Sequence, residues 1–334
     1  MADLPTLAEV AAAAGVSPAT ASRVLTGSVR VKTSTRRQVH DAMSRLGYVR
    51  RRAPRGAGRR RAEQTIAAVV CESGPRLFSD PYYARLLVAC EEALTAKGLP
   101  LMLMTATPAT ASLTAPRLVA GAVDGVLLIG ARARHPLTVT LAASGIPVRC
   151  VGRPPDDVTL PFVDADNADG GRQVAEHLLL SGRRSIAVIA GPPTLPAARD
   201  RLEGFRRTLF DAGITSVPVA YGDFTRSSGA HAAQWLLQRV PNLDAIFVAS
   251  DLMAAGAIHT LIRAGRKVPD DVAVIGFGDA PIAKSMSPTL TTVRQPVEEM
   301  ATLAIKLLLA ALTEENGPPA DSVLPTELVV RESG

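Results

Sequence analysis

Residues 6–25, TLAEVAAAAGVSPATASRVL, predict two short helices joined by a tight turn. The apolar residues of the first half fall on one face of a helix: Leu7, Val10 and Ala11. Thr6 and Glu9 have the spacing of a capping box at the start of that helix. Gly15 can adopt the left-handed conformation with which a helix often ends. We therefore expect the first helix to stop at Gly15.

A second helix is expected directly after this turn. Ser17 is a suitable N-cap, and Pro18 takes the first helical position, where a missing N–H costs nothing. Its buried residues are expected to be Ala21 and Leu25. The outward residues near its start are Pro18, Ala19, Ser22 and Arg23. A helix-turn-helix presents its recognition helix to the DNA major groove in this way, although a helical hairpin from an all-α core has the same pattern.

Positive charge is concentrated at the start of the chain. The 334 residues carry a formal net charge of +6, and 47% of them are hydrophobic, so two or three domains with a large core are expected. Residues 1–62 hold 13 basic and 3 acidic residues, whereas the remainder is mildly acidic. This asymmetry indicates that a polyanion binds the first segment alone.

A third helix, residues 34–46, and an arginine-rich segment follow. Arg36 lies off the apolar face of this helix, where it can reach a phosphate. Residues 50–61, RRRAPRGAGRRR, contain seven arginines together with proline and glycine. That composition is typical of a solvated linker. Because the segment stands between the basic head and a globular body, we favour a linker that also binds the DNA backbone or minor groove.

From residue 65 onward, apolar strands alternate with amphipathic helices. Strands are expected at 66–70, 99–104, 125–129, 147–151, 162–164, 186–190, 217–221, 245–249, 272–275, 290–293 and 327–330. Helices are expected at 82–97, 114–120, 137–144, 168–180, 197–211, 227–239, 251–264 and 297–312. This alternation predicts parallel sheets covered on both faces. The units are too many for one sheet, so we expect two lobes that divide near residues 162–163, with a ligand cleft between them.

The sequence offers no convincing catalytic, cofactor or metal site. Residues 276–278, GFG, follow a strand but lack the rest of a dinucleotide-binding fingerprint, and no P-loop is present. The five histidines are scattered. Cys71, Cys90 and Cys150 are scattered too, and predict buried free thiols in a reducing compartment. The first residues lack the pattern of a secretory signal, and no long apolar run suggests a membrane span.

Sequence motifs extend from the head to the end of the body. The most specific are GVSPATASRVL at residues 15–25 and LTTVRQP at residues 290–296. Between them, in order, come SDPYYARLL, VDADNADGG, GDFTRSSG, FVASDLMAAGAI and DVAVIGFGD. This series, in this order, resembles the LacI/GalR (lactose/galactose repressor) family of bacterial transcription regulators, and the resemblance covers nearly the whole chain.

The resemblance implies an α/β fold: an N-terminal three-helix helix-turn-helix head and a two-lobed, periplasmic-binding-protein-like body of doubly wound parallel sheets. The expected limits are 1–49 for the head, 50–63 for an Arg-rich hinge or linker, and 64–334 for the effector-binding and dimerisation body. Lobe 1 is expected at about 64–162 and 292–322, and lobe 2 at about 163–291 and 323–334. We expect no cofactor, no metal and no enzymatic activity, and a cytoplasmic location.

The resemblance also implies a homodimer on a pseudo-palindromic operator, with a recognition helix in each of two successive major grooves. The implied DNA-contacting residues are Ser17, Pro18, Ala19, Thr20, Ser22, Arg23, Arg36, Arg52, Arg55 and Ala57. Arg23 is the strongest base reader, because a guanidinium can bridge O6 and N7 of guanine. Family members wedge a hinge-helix leucine into the minor groove. Ala57 holds that position here, between two glycines, so we expect a weak hinge helix.

A small polar effector, a sugar or a related metabolite, is implied for the cleft. The implied residues are Tyr82, Tyr83, Arg153, Arg199, Phe224, Ser250, Asp251, Gly278 and Gln295. Arg199 is expected to donate a fork of hydrogen bonds, and Phe224 to stack on the ligand. The family commonly has aspartate at the position of Gly278 and asparagine at that of Ser250. These departures predict a less acidic cleft, which makes a sugar acid a candidate beside a neutral sugar.

Three function classes agree with parts of the sequence. The head and cleft together favour a ligand-responsive regulator, most often a repressor, in which the effector shifts the balance between two lobe arrangements. A sugar-binding protein without DNA function would leave the basic head unexplained. An α/β enzyme would lack candidate catalytic residues. No leucine heptad follows the body, so a dimer is expected rather than a tetramer. Whether the effector releases or strengthens DNA binding stays open.

Overall fold

The computed structural model describes residues 6–25, 32–46, 64–313 and 321–334. The head consists of α1 (Leu7–Ala13), α2 (Pro18–Leu25) and α3 (Thr33–Leu46). Both halves of the expected capping box are present, because the Thr6 N–H donates to the Glu9 carboxylate at 2.6 Å and the Glu9 N–H donates to the Thr6 hydroxyl at 3.3 Å. Gly15 lies just past α1 with a φ of +65°, as expected of a helix-ending glycine.

A small apolar core joins the three head helices. Its buried residues are Val10, Ala11, Ala21, Val24, Val39 and Ala42. Ala21 takes the buried position that the sequence predicts, whereas the Leu25 side chain lies outside the described part of the chain. Ser17 caps α2, since its hydroxyl accepts the Thr20 N–H at 3.2 Å. The expected hinge at 50–63 also lies outside the described residues.

The body alternates strands with helices, as the sequence predicts. The strands are β1 (Ile66–Val70), β2 (Leu101–Thr105), β3 (Gly125–Ile129), β4 (Val148–Val151), β5 (Phe162–Ala165), β6 (Ile186–Ala190), β7 (Val219–Tyr221), β8 (Ala245–Val248), β9 (Ala273–Gly278), β10 (Thr291–Arg294), β11 (Ser322–Leu324) and β12 (Glu327–Val329). The helices are α4 (Gly74–Ser79), α5 (Pro81–Thr95), α6 (Ala111–Arg117), α7 (Pro136–Ala142), α8 (Asn167–Leu180), α9 (Pro196–Asp211), α10 (Arg226–Arg239), α11 (Asp251–Arg263), α12 (Pro281–Ser285) and α13 (Val297–Leu312). A π turn, Leu118–Ala122, follows α6.

The strands form two six-stranded sheets, one in each lobe. The first has the order β11-β5-β4-β3-β1-β2 and is parallel throughout. The second has the order β12-β10-β9-β8-β6-β7 and is parallel except for β12, which pairs antiparallel with β10. Every residue of the central strands β1, β3 and β6 is buried, which is typical of sheets covered on both faces. The two-lobed α/β body is confirmed.

The chain crosses between the lobes a few residues away from the expected points. β5 pairs with β4 in the first sheet and buries Val163 in the first-lobe core, so the crossing follows Ala165 instead of falling near residues 162–163. β10, assigned mostly to lobe 1, belongs to the second sheet, and β11 pairs with β5 in the first. A short apolar strand beside a crossing could be buried in the core of either lobe, so its sequence pattern does not show which sheet it joins.

Two of the crossing segments are bonded to each other. Asp166 follows β5, and its N–H donates to the carbonyl of Leu324, the last residue of β11, at 2.8 Å. The Thr326 hydroxyl donates to the Asp166 carbonyl at 3.2 Å. A further crossing runs through Gln295 and Pro296, between β10 and α13. The first and last crossings therefore form one hydrogen-bonded connection.

Three short elements escape the sequence prediction. α4 and α12 are 6 and 5 residues long, too short to show a helical period. Each has a proline at its first or second position. A proline there is as typical of a turn as of a helix start, so the sequence does not distinguish the two. β11 has 3 residues, too few to show an alternating pattern.

The three cysteines are buried free thiols, as expected. Cys71, Cys90 and Cys150 are each almost fully buried, and none forms a disulfide. Burial raises the pKa of each thiol to about 12. A thiol with so high a pKa is a poor nucleophile at neutral pH.

Candidate functional site

A cleft lies between the two lobes, along the C-terminal edges of both sheets. It holds about 960 Å³ of space outside the protein atoms, its open mouth included. The first lobe lines it with residues that follow β1, β3 and β4, and the second lobe with residues at or after the ends of β6 to β9. Parallel strands direct the loops that follow them to this edge, which is where α/β proteins bind small ligands.

Most of the predicted effector residues line this cleft: Tyr82, Tyr83, Arg153, Phe224, Ser250, Asp251, Gly278 and Gln295. Arg199 does not, and the arginine of α9 that lines the cleft is Arg201. Helical periodicity explains this correction. Ala198, Arg201 and Phe205 lie on the buried face of α9, whereas the Arg199 side chain is 45% exposed.

Arg201 is a buried cation on the wall of the cleft. Its guanidinium donates to Asn167 Oδ1 at 2.9 Å and to the Ala249 carbonyl at 2.7 Å. The same group lies 3.8 Å from the centroid of the Phe277 ring. Burial lowers the pKa of Arg201 to about 10, so the side chain is charged at neutral pH. A guanidinium held in this way can donate its remaining N–H groups to ligand hydroxyls.

Two carboxylates of the first lobe also line the cleft: Asp80, which is half-buried, and Asp164, which is buried. Asp80 caps α5 and accepts the Tyr82 N–H at 3.1 Å. Asp164 accepts the N–H groups of Arg153 and Ala165 at 2.9 and 2.8 Å. Burial raises the pKa of both carboxyls above the usual value for aspartate. Together with Asp251, they give the cleft three carboxylates, although Gly278 and Ser250 offer none. The expectation of a cleft less acidic than a typical sugar site stays a prediction.

Asp251 is a buried carboxylate of the second lobe, in the first turn of α11. It accepts the Thr292 hydroxyl at 2.5 Å and the Ala280 N–H at 2.7 Å. Burial raises its pKa to about 6. Ser250 precedes it as the N-cap of α11, and its hydroxyl accepts the Met253 N–H at 3.3 Å. The Ser250 side chain therefore orients the helix on which Asp251 stands.

Gly278 ends β9 in a conformation that favours glycine, with a φ of +133°. A Cβ at this position would lie 3.4 Å from Asp251 Oδ2. The Gly278 carbonyl accepts an N–H of Arg85 at 3.2 Å, and Arg85 also forms an ion pair with Glu298 at 2.7 Å. Because Arg85 belongs to α5 of the first lobe, this backbone contact joins the two lobes.

Aromatic rings line both lobes of the cleft. Tyr82 and Tyr83 pack edge to face, with their ring centroids 5.3 Å apart. Phe224 has a φ of +70° and packs against Gly191, where an added Cβ would lie 2.3 Å from the ring. The Arg76 guanidinium of the first lobe lies 4.9 Å from the centroid of the Phe224 ring. It also donates a hydrogen bond to the backbone carbonyl of Asp223 at 2.5 Å. Apolar rings among polar groups suit the mixed surface of a sugar.

Two ion pairs join the lobes at one lip of the cleft. Arg153, which follows β4, contacts both carboxylate oxygens of Asp200 on α9, at 2.6 and 2.7 Å. Arg199 on α9 binds Asp156 of the first lobe at 2.8 Å. Asp156 also accepts a hydrogen bond from Arg153 at 3.3 Å. Arg199 therefore contributes to lobe contact and lies outside the cleft wall.

Five charged residues of the cleft escape the sequence prediction: Arg76, Asp80, Arg85, Asp164 and Arg201. Two of them carried a usable signal. Asp80 precedes a proline at a helix start, and Arg201 falls on the apolar face of its helix. Gln295, which the resemblance implies, lies at a crossing and is only 5% exposed.

The recognition helix exposes most of the predicted DNA-contacting residues. Those exposed are Ser17, Pro18, Ala19, Ser22 and Arg23. Thr20 and Arg36 are half-buried, and the Thr20 hydroxyl is hydrogen-bonded to that of Ser17 at 2.9 Å. Arg52, Arg55 and Ala57 lie outside the described residues. The exposed residues of α2 form the kind of surface that enters a major groove.

No metal centre is found in the parts of the chain that the structure describes. There, no group of three or more His, Cys, Asp or Glu side chains is placed to hold a metal ion. Within the same ranges, no helix is long and apolar enough to cross a membrane. The cleft carboxylates Asp164 and Asp251 are held by N–H and O–H donors.

Known proteins resemble both parts of the chain. Residues 6–51 match the family model for bacterial regulatory proteins of the lacI family. Residues 175–334 match the model for a periplasmic binding protein-like domain. Over 336 residues the chain is 42% identical to the HTH-type transcriptional regulator CelR of Thermobifida fusca, which covers 99% of this chain and 98% of the relative.

Two solved structures extend this similarity to three dimensions. The transcriptional regulator CelR–cellobiose complex is 40% identical, with a TM-score of 0.80, covering 99% of this chain and 100% of that one. The lac repressor dimer bound to operator and the anti-inducer ONPF is 26% identical, with a TM-score of 0.74 and a coverage of 99% for both chains. Both similarities include the head as well as the body.

Proposed function

Because the chain belongs to the lacI family of bacterial regulatory proteins and is a transcriptional regulator, we propose that it binds a pseudo-palindromic operator as a homodimer and responds to cellobiose or a closely related glucose disaccharide. The observation that carries the effector assignment is the 40% identity to the CelR–cellobiose complex over 99% of this chain. Repression is the proposed default, and the bacterial cytoplasm is the proposed location.

The head provides the proposed DNA contacts. They are Ser17, Pro18, Ala19, Thr20, Ser22, Arg23 and Arg36, with Arg52, Arg55 and Ala57 in the hinge or linker. Arg23 supplies base recognition, because its guanidinium can donate to two acceptors on guanine. Arg36 and the linker arginines supply charge, so operator affinity is expected to fall steeply with salt.

The cleft provides the proposed effector contacts. They are Tyr82, Tyr83, Arg153, Asp164, Arg201, Phe224, Ser250, Asp251, Gly278 and Gln295. Arg201 and Asp164 lie on opposite lobes, so a ligand hydrogen-bonded to both holds the lobes together. Phe224 offers a ring face for the C–H surface of a sugar.

The charge balance of the cleft supports a neutral ligand. Arg85 is paired with Glu298, and Arg153 is paired with Asp200. Arg76 lies 3.5 Å from the Asp80 carboxylate. A neutral sugar leaves these pairs intact, whereas an anion would compete with the protein's own carboxylates for them.

The first lobe offers a surface for the proposed dimer. β2 is an edge strand of the first sheet, and Met102 and Leu103 on it are 40% and 42% exposed. Val88 of α5 is 57% exposed. A twofold axis beside this strand would bury the same apolar residues on both subunits.

The switch follows from the contacts that cross the cleft. An effector that bonds to both lobes binds the closed arrangement more tightly than an open one. The difference between these two affinities sets how far the effector shifts the balance towards the closed arrangement. In a dimer the arrangement of the lobes sets the spacing of the two heads. The effector therefore changes the affinity for an operator whose half-sites have a fixed spacing.

Fluorescence anisotropy with full-length protein tests this function. The probe is a labelled duplex from the DNA upstream of the gene, and a scrambled duplex of equal length is the control. We expect preferential binding of the upstream duplex and a change in its Kd on addition of cellobiose but not of sucrose. Equal binding of both duplexes would overturn operator recognition. An unchanged Kd with saturating cellobiose would overturn the effector assignment.

A sugar acid is the second candidate effector, because four arginines line the cleft: Arg76, Arg85, Arg153 and Arg201. Calorimetry on the full-length protein with cellobiose and with cellobionic acid separates the two. Tighter binding of the neutral sugar supports the proposal. Tighter binding of the acid would indicate that the arginines bind its carboxylate, and would overturn the proposal of a neutral sugar as effector.

A further inference from the structure

A second cavity lies beside the effector cleft. This outer cavity is lined by the outward face of α9, the turn after β6, and Tyr221 at the end of β7. It holds about 840 Å³ outside the protein atoms, its mouth included. Among the described residues, Arg153 is the only one that lines both cavities. Arg153 therefore borders both cavities.

Arg153 is held in this position by three carboxylates. Its backbone N–H donates to Asp164 at 2.9 Å, which fixes the start of the side chain. Its guanidinium contacts both oxygens of Asp200 at 2.6 and 2.7 Å, and Asp156 at 3.3 Å. The Arg153 and Asp200 side chains are 35% and 25% exposed, so water screens them less than a fully exposed pair. Asp200 belongs to the opposite lobe, so the pair forms only when the lobes are close.

The outer cavity has the chemistry of a sugar subsite. Tyr221 is 57% exposed and offers a ring face. Arg206 and Glu203 project from the exposed side of α9 into the same cavity. An aromatic ring beside a hydrogen-bond donor and an acceptor suits a pyranose, which has an apolar face and a rim of hydroxyls.

We propose that the Arg153–Asp200 ion pair is the end wall of the effector cleft and limits the bound sugar to two rings. This inference rests on the proposed function, a glucose disaccharide as effector. With the pair in place, a third ring meets two bonded side chains. Without it, the cleft and the outer cavity become continuous, and a third ring reaches Tyr221.

The wall discriminates because only the longer sugar has to break it. A trisaccharide must separate two charge-assisted contacts before it gains any contact in the outer cavity. A disaccharide leaves them in place. The number of sugar rings is therefore selected by an ion pair that opposes the trisaccharide, and not by tighter contacts to the disaccharide.

Calorimetry on the full-length protein with cellobiose and cellotriose tests the wall. The readout is the ratio of the two Kd values, because an effect of a substitution on lobe closure applies to both sugars and cancels. We expect the wild type to bind cellobiose roughly tenfold or more tightly than cellotriose, because the longer sugar loses charge-assisted contacts. In Arg153→Ser and in Asp200→Ala, the ratio is expected to approach one.

Arg199→Ala is the matched control. It removes the other ion pair at the same lip, to Asp156, but leaves the pair between the two cavities. Its ratio is expected to equal that of the wild type. Adding Tyr221→Ala to Asp200→Ala should remove the gained cellotriose affinity and leave cellobiose binding as in Asp200→Ala.

Several results would overturn the proposal that the ion pair limits the bound sugar to two rings. A wild-type ratio near one would do so, and so would an unchanged ratio in both wall variants or an equal shift in Arg199→Ala. Each of these leaves cellobiose as the effector. Failure of the wild type to bind cellobiose, by contrast, overturns the proposed function itself, and the wall with it.

Discussion

The guanidinium of Arg201 lies 3.8 Å from the centroid of the Phe277 ring while it donates hydrogen bonds to oxygens of the protein. The ring and these oxygens fix the plane of the guanidinium before any ligand arrives. A side chain that is ordered in advance loses little further freedom on binding. Arg201 is thus a preorganised donor on the wall of the cleft.

Arg201→Lys is expected to weaken cellobiose binding by roughly 10- to 100-fold, because an ammonium keeps the charge but loses the planar fork. Calorimetry measures the change, and circular dichroism checks that the variant is folded. Arg207→Lys, on the exposed side of the same helix, is the control and should bind as the wild type does. A folded Arg201→Lys variant with wild-type affinity would remove Arg201 from the effector site.

Asp251 makes the stability of the second lobe depend on pH. Its pKa is raised to about 6 in the folded protein, mainly by burial. A carboxyl with a raised pKa contributes stability below its unfolded pKa, and this contribution is lost as the pH rises through the folded value. Between pH 4 and pH 7 the wild type is expected to lose about 2–3 kcal/mol of unfolding free energy relative to Asp251→Asn. Urea unfolding of both proteins across this range measures the difference, and a constant difference would contradict the prediction.

Gly191 is required by the ring of Phe224. A Cβ at Gly191 would lie 2.3 Å from Phe224 Cζ, so Gly191→Ala must displace the ring. We expect a loss of about 1–3 kcal/mol of stability and a weaker affinity for cellobiose. Thermal unfolding and calorimetry measure the two effects. Gly74→Ala, where nothing lies within 4 Å of an added Cβ, is the control. If both variants behave alike, the ring does not need the glycine.

Arg23 and Arg36 are expected to differ in what they contribute to DNA binding. Arg23→Ala should lose about 1–3 kcal/mol of discrimination per half-site, because a base contact is removed. Arg36→Ala should weaken operator and random DNA equally and lower the salt dependence, because a phosphate contact is removed. Anisotropy titrations at several salt concentrations measure both. Unchanged operator preference in Arg23→Ala would exclude its role as a base reader.

Leu103→Glu is expected to dissociate the proposed dimer, because it places a charge on the exposed edge strand β2. Sedimentation velocity measures the oligomeric state. Leu180→Glu is the matched control, since Leu180 is 89% exposed on α8 of the second lobe. A dimeric Leu103→Glu variant would place the interface elsewhere.

The sequence predicts those parts of the structure that depend on the local pattern of residues. The capping box of Thr6 and Glu9, the stop at Gly15 and the alternation of strands and helices all depend on neighbours in sequence, and the structure has them. The resemblance nominates Arg199 for the cleft, whereas Arg201 lines it, and the apolar face of α9 already favours Arg201. Periodicity was the better guide there than the position of a residue after a turn.

The remaining differences depend on contacts between distant segments. Asp164 lines the cleft because β5 stays in the first sheet, which its short apolar pattern does not reveal. The contact of Arg85 with the Gly278 carbonyl joins residues that are 193 positions apart in the chain. Such contacts are decided by which lobe an element joins, and no local pattern encodes that choice.

The hydrogen bonds between two of the crossing segments restrict how the lobes can move. Asp166 is bonded to Leu324 and Thr326, so these two connections turn together. Because both connections run between the same two lobes, we expect the lobes to open and close by bending at this bonded pair. Gln295 lies in another crossing and lines the cleft, so a ligand bound beside it would contact a connection between the lobes.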